Sequence, residues 1–262
     1  LEPVVARPVH AKQVEPGSIS VTSLRDLLQG GTARTLERLL PRYLMQQRWF
    51  RGKARKLRTT TISGVVPMGQ QANDPHLTFV RAEYVEGDPE TYILPLAMQH
   101  SASSDRSAVI CGLHVKGSPD PYCLIDAVAD KVFAQAMLDL IRGRRKINSE
   151  EGSLVGFQTT ALRALTADDP DLQPEMGERE QSNTSIAYGN RLILKLYRKL
   201  EEGVGLDLEV GKFLTDHGYP HSPAVAGAVD FRRNSEDRTV AVLHAFARNE
   251  GDAWDYTIDQ VP

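Results

Sequence analysis

Leu192-Ile-Leu-Lys-Leu-Tyr-Arg198 is the stretch on which the reading of the fold turns. Alternate side chains of a strand share a face, so Leu192, Leu194 and Leu196 point one way while Ile193, Lys195 and Tyr197 point the other. A cation among apolar groups at the centre of a sheet needs an anionic partner, because an unpaired buried charge is very costly. An edge strand whose lysine simply reaches water would carry the same pattern. The neighbouring segments separate the two readings.

Gly189-Asn190 supplies a two-residue hairpin into this strand. Beyond it the spacing predicts a helix over Leu206 to His217, stopped by Gly218 with Pro220 and Pro223 just after. Leu206, Val210, Phe213 and Leu214 form the expected inward stripe, and Glu209 borders that stripe rather than the solvent face. A strand lysine followed by a helix glutamate is the arrangement with which protein kinases hold nucleotide phosphates. Upstream, Glu178-Arg-Glu-Gln-Ser-Asn-Thr-Ser places hydroxyls and an amide between two strands, where they can hold donors around phosphates. The stretch has neither a glycine-rich fingerprint nor a Walker lysine motif, and residues of this kind also make ordinary turns. Downstream, the apolar strand Val240 to Phe246 runs into Ala247-Arg-Asn-Glu-Gly-Asp-Ala-Trp-Asp-Tyr. A strand leaving the sheet there can offer backbone groups to adenine.

The rest of the chain fits an α+β protein. Its 262 residues, 41% hydrophobic and 25% charged, suffice for one large domain or two modest ones. Residues 1–31 read as a linker or tail, with Pro3, Pro8, Pro16 and Gly17 and no stable period at its start. From Ser23 a helical pattern begins, with Leu36, Leu39, Leu40 and Tyr43 at helical spacing and Thr35 as a candidate cap. Strands are expected at Thr59 to Val66, Leu77 to Val85, Glu90 to Leu96 and Ala108 to Val115, closing a small helix-plus-sheet unit near residue 120. An amphipathic helix over Asp126 to Ile141 follows, then strand-like runs at Ser153 to Leu165, Glu178 to Glu180 and Thr184 to Tyr188. Two more strands are expected at Ala224 to Arg232 and Arg238 to Phe246.

Composition also narrows the partners. A net charge of −3 argues against a general nucleic-acid binder. Arg42, Arg48, Arg51, Lys53, Arg55, Lys56 and Arg58 do crowd around Trp49 and Phe50. Interleaved cations and aromatics can bind single strands, but adjacent aromatics read better as a packed helix end with a solvated cationic rim. No apolar run approaches the roughly 20 residues that span a bilayer, so no membrane partner is expected. Leu1 to Ser20 has no apolar run suited to secretion. Cys111 and Cys123 form no disulfide framework and lack partners at zinc spacing, so a reduced, cytoplasmic protein is expected. The chain begins without Met, which is read as a piece of something longer.

Five segments together resemble the maltokinase family, including its form fused to the C-terminal end of trehalose synthase. They are Gln47-Arg-Trp-Phe-Arg-Gly-Lys-Ala-Arg, Gln181-Ser-Asn-Thr-Ser, Arg191-Leu-Ile-Leu-Lys-Leu-Tyr-Arg, Leu208-Glu and Gly251-Asp-Ala-Trp-Asp-Tyr. The resemblance implies a fold similar to eukaryotic-type kinases and aminoglycoside phosphotransferases, with an extra amino-terminal cap. Residues 32–122 would be that cap, and residues 123–262 an intermediate, kinase N-lobe-like antiparallel sheet with two helices. It further implies a phosphate loop at Gln181, Ser182, Asn183 and Thr184, a phosphate-binding Lys195 supported by Glu209, and a hinge at His244, Ala245 and Ala247. The cofactors implied are ATP and Mg²⁺. The implied reaction moves the ATP γ-phosphate to the anomeric hydroxyl of maltose, and a fused or associated trehalose synthase is the implied partner.

The family's catalytic aspartate, in a His-x-Asp-type loop, and its metal ligands would lie beyond Pro262. No catalytic residue and no metal ligand is therefore assigned within the chain, and the chain alone is expected to be inactive as a kinase. Two alternatives stand beside this reading. One is a non-catalytic module that recognises carbohydrate or protein, with Lys195–Glu209 a structural ion pair. The other is the N-lobe of a kinase for another small molecule.

Overall fold

A computed structural model describes residues 18–167, 172–176, 184–234, 236–247 and 257–258. Alternation of apolar and polar side chains builds a first sheet from β1 (Ser18–Val21), β2 (Leu57–Pro67), β3 (His76–Tyr84), β4 (Glu90–His100), β5 (Val109–Val115) and β6 (Tyr122–Asp126). Its order is β1-β5-β6-β4-β3-β2, antiparallel except for the parallel pair β1 and β5. Two helices cover one face, α1 (Leu24–Leu27) and α2 (Gly30–Gln46). Ser23 caps α1 by accepting the Asp26 N–H at 3.1 Å. The expected tail over residues 1–31 is thus corrected in its described part, because Ile19, Val21, Leu24 and Leu27 are core residues. Thr35 is not a cap either: α2 begins at Gly30, and the Thr35 hydroxyl donates back to the Gly31 carbonyl.

Pro41 sits inside α2 and lacks the N–H that would have met the Glu37 carbonyl. The Thr60 hydroxyl donates to that carbonyl at 2.6 Å, and the Glu37 carboxylate accepts the Ile62 N–H at 2.8 Å. The helix defect is therefore satisfied by β2, which ties helix to sheet. Trp49 and Phe50 pack beneath α2 against Tyr92, with ring centroids 6.1 and 4.8 Å away.

After a short 3₁₀ turn at Ala127–Ala129 comes α3 (Lys131–Arg142), capped by the Asp130 carboxylate on the Phe133 N–H. The second sheet then forms from β7 (Lys146–Asn148), β8 (Ser153–Gln158), β9 (Pro174–Met176), β10 (Thr184–Tyr188), β11 (Leu192–Leu196), β13 (Val225–Arg233) and β14 (Glu236–Ala245). Its order is β7-β8-β13-β14-β11-β10-β9, with every pair antiparallel. The strand expected through Leu165 ends at Gln158, and Thr160–Thr166 forms helix α4 instead. Gly156 is required in β8, since a Cβ there would lie 2.2 Å from the Leu140 carbonyl oxygen of α3. The strand expected at Glu178 to Glu180 lies outside the described residues. Leu206–Asp216 is helix α5.

The two sheets pack face to face around Phe79 and Phe231, whose ring centroids are 4.3 Å apart. The chain also crosses between them, because it leaves the second sheet after β11 and its next strand, β12 (Lys199–Leu200), pairs with β4 of the first. The expected boundary after residue 122 cuts β6, which continues the first sheet to Asp126. Among the described residues no helix is long and apolar enough to cross a membrane.

Arg198, between β11 and β12, is 1% exposed and forms an ion pair with Asp126 at the end of β6, Nη1 to Oδ2 2.9 Å. Its Nε donates to Thr184 Oγ1 at 2.7 Å, and its guanidinium lies 4.6 Å over the Trp49 ring. Asp126 also accepts the Tyr43 hydroxyl at 3.0 Å and the Val128 N–H at 3.3 Å. Removing one partner of such a pair strands the other charge, so Arg198→Ala and Asp126→Ala are each expected to cost about 3–5 kcal/mol in urea unfolding. The double variant is expected to cost less than the sum of the two.

Candidate functional site

The alternation along β11 places Leu192, Leu194 and Leu196 in the core, while Ile193 and Lys195 line a cavity of about 610 Å³ on the other face. The second wall of the cavity is α5, through Leu206, Asp207, Val210 and Leu214. The third is the end of β14, where His244, Ala245, Phe246 and Ala247 follow one another along the rim. Gly211 lets α5 sit close to the sheet: a Cβ there would come 2.7 Å from Val225 Cγ2. The α5 start is held by the Gly205 N–H, which donates to Thr239 Oγ1 of β14 at 2.9 Å.

Lys195 has a carboxylate partner, and it is Asp207, not Glu209. The Tyr197 hydroxyl donates to the same Asp207 oxygen at 3.1 Å, and Lys195 Nζ lies 5.3 Å from the Tyr197 ring centre. The Lys195 ammonium beside it holds the Asp207 carboxyl below its usual range. Glu209 is exposed and lines no cavity with Lys195. The correction follows from helix rotation. Two positions along a helix is a turn of about 200°, so Asp207 and Glu209 face nearly opposite ways.

The stripe expected to point inward is also rotated. Leu206, Val210 and Phe213 are 72%, 45% and 59% exposed, whereas Leu208 at 3% packs on the sheet with Val225, Ala228 and Val242. Apart from Leu208, the large apolar side chains of α5 thus serve the cavity wall and the surface rather than the core. Asp207 was missed for that reason. Its position in the first helical turn, 12 residues after Lys195, was the available signal.

The remaining expected residues divide three ways. Gln181, Ser182 and Asn183 lie outside the described residues, as does Gly251-Asp-Ala-Trp-Asp-Tyr. Thr184 is buried on the opposite face, bonded to Arg198, and its neighbour Ser185 is the residue that lines the cavity. His244, Ala245 and Ala247 do border the cavity, but the Ala245 N–H is taken by the Ala224 carbonyl and the Phe246 N–H by the Arg191 carbonyl, both at 2.8 Å. These two amides are engaged within the protein.

A second, more polar cavity of about 440 Å³ shares Lys195, Leu206 and Asp207 as its wall. It is lined further by Tyr197, Lys199 and Arg51, and Arg51 reaches Glu201 at 3.5 Å. The Gln47–Lys53 segment therefore touches the site through Arg51 as well as the core through Trp49. Among the described residues no three His, Cys, Asp or Glu side chains gather as a metal site.

Burial pushes the His244 imidazole below its ordinary value of 6.5, the nearby Asp207 carboxylate opposes this, and the Lys195 ammonium reinforces it. The folded state thus keeps His244 neutral where the unfolded chain already takes up a proton. Its contribution to stability is present above pH 6.5 and is lost as pH falls below that value. His244→Asn is expected to flatten the acid-side loss of stability, read from urea midpoints between pH 7 and pH 5.

Two solved structures titled as glucosamine kinase are similar to the chain. One, in complex with glucosamine, ADP and inorganic phosphate, matches at 14% identity and a TM-score of 0.46, covering 76% of this chain and 38% of that one. The other, titled as crystal form B, matches at 14% identity and a TM-score of 0.41, covering 80% and 39%. The chain thus spans about two fifths of the length of these structures. In sequence, residues 43–130, from the last turn of α2 to the cap of α3, match the maltokinase N-terminal cap domain.

Proposed function

We propose that the chain is the cap and nucleotide-holding part of an ATP-dependent maltokinase, which converts maltose and ATP to maltose 1-phosphate. The observation that carries this reading is the cavity between β11, α5 and the end of β14, with the Lys195–Asp207 pair at its polar side. Its volume of about 610 Å³ falls in the range of small-molecule sites, roughly 300–1,000 Å³. Ile193, Val210, Leu214 and Phe246 offer apolar surface to a planar base. The Lys195 ammonium offers charge to phosphates, and Asp207 with Tyr197 keeps it in place beforehand.

ATP fits this cavity as an apolar slot with a cation at one side. Adenine recognition would rest on that slot and not on the Ala245 and Phe246 amides, which are already engaged. Mg²⁺ does not fit the described residues, which gather no carboxylate cluster, so no step is assigned to it. In phosphoryl transfer the rate comes from positioning and charge neutralisation by metal, base and lysine together. The chain would then hold nucleotide without turning it over, as part of a cytoplasmic enzyme of α-glucan metabolism. The match of residues 43–130 to the maltokinase cap domain supports a kinase-related reading and is the reason maltose is the acceptor proposed.

Titration with a fluorescent ATP analogue tests the reading. The unmodified chain is expected to bind it, and Lys195→Ala to weaken binding by about tenfold or more, the loss of one charge-assisted contact. Asp207→Asn is expected to weaken it as well, whereas Glu209→Gln leaves it unchanged. Binding that ignores Lys195, or ADP release with maltose and Mg²⁺ from this chain alone, would contradict the proposal.

A further inference from the structure

A separate cleft of about 410 Å³ opens between α2 and β2, the edge strand of the first sheet. Arg34 and Arg38 enter it from successive turns of α2, and Arg58 enters from the start of β2. Several arginines elsewhere in the fold sit beside carboxylates, among them Arg55 with Glu90, Arg81 with Glu83, Arg198 with Asp126 and Arg232 with Asp237. Among the described residues Arg34, Arg38 and Arg58 have no such partner within ion-pair distance. The one carboxylate in the cleft, Glu37, is committed to the Ile62 N–H at 2.8 Å. Thr59, Thr60 and Thr61 of β2 complete its lining, and the Thr60 side chain is the one turned to α2.

The floor of the cleft is fixed in advance. Pro41 frees the Glu37 carbonyl, the Thr60 hydroxyl takes it at 2.6 Å, and the two contacts at Glu37 hold α2 and β2 at a set separation. Three arginines, each carrying a planar fork of donors, therefore line one cleft over a base held by α2 and β2. A solvated basic rim would require neither the concavity nor the clamp beneath it. The volume exceeds the needs of a single phosphate group and lies at the lower end of small-molecule sites.

We propose that the α2–β2 cleft binds a small phosphate-bearing molecule, with Arg34, Arg38 and Arg58 holding its phosphate group. This site lies apart from the Lys195 cavity and stands independently of the function proposed for that cavity.

The test is isothermal titration of the whole chain at low ionic strength with glucose 1-phosphate, inorganic phosphate and maltose. Glucose 1-phosphate is expected to bind, neutral maltose not to compete with it, and Arg38→Gln or Arg58→Gln to weaken it by about tenfold or more. Lys195→Ala is expected to leave this binding unchanged, which distinguishes it from any phosphate taken up at the nucleotide cavity. Inorganic phosphate binding as tightly as the ester, with the same arginine dependence, would support the site and name free phosphate as its ligand. The exposed arginine variants are checked for folding by circular dichroism. The proposal is overturned by no heat from either phosphate, by binding indifferent to Arg38 and Arg58, or by displacement of the ester by polyglutamate.

Discussion

A buried guanidinium between two sheets constrains much of what surrounds it. Arg198 gives up water, and that loss is tolerable only because a carboxylate, a hydroxyl and an indole face meet it at once. Those partners come from β6, β10 and the turn after α2, so satisfying one cation fixes three separated segments of the chain. The same residue follows β11, whose alternate face carries Lys195. Its carbonyl accepts the Ile93 N–H of β4 at 2.7 Å, leading into β12 and the first sheet. The joint between the halves and the placement of Lys195 are thus consequences of one short stretch, Lys195 to Leu200.

The site lies where the fold leaves apolar surface uncovered. A core helix turns its apolar stripe inward, but α5 rests on the sheet mainly through Leu208 and the close approach at Gly211. Its larger apolar side chains are left for the cavity wall and for the surface beyond it. An apolar slot with a paired lysine at its side has the chemistry that a nucleotide asks of a protein: a dry surface for the base and a fixed positive charge for phosphates. Arg51 brings the maltokinase-like region into the second cavity, on the other side of the same Lys195–Asp207 pair. The amino-terminal region is therefore part of the site's surroundings and not a distant appendage.

Strand alternation was the most readable feature in the sequence. It assigns Leu192, Leu194 and Leu196 to the inside and Lys195 to the other face, as the fold has them, because a period of two leaves no freedom of assignment. Helix orientation was less readable. The apolar stripe on α5 reads as a core face, although a ligand cavity attracts apolar residues as a core does. That single substitution of one apolar environment for another moved the carboxylate from Asp207 to Glu209. The role of Arg198 was not legible, since Thr184 and Asp126 lie far from it in the chain and only the folded sheets bring them together. The helix α4 was hidden by Thr160, Ala161 and Leu162, whose short run fits strand and helix alike. The β1 strand was hidden by the prolines just before it.

The most direct measurement is a crystal structure of the chain with ADP bound. The expected result places the purine between Ile193 and the Val210–Leu214 face of α5, beside Phe246, with the phosphates directed to Lys195. Nucleotide bound outside that cavity, or ordered phosphates with Lys195 still held by Asp207 and turned away from them, would contradict the reading of the site.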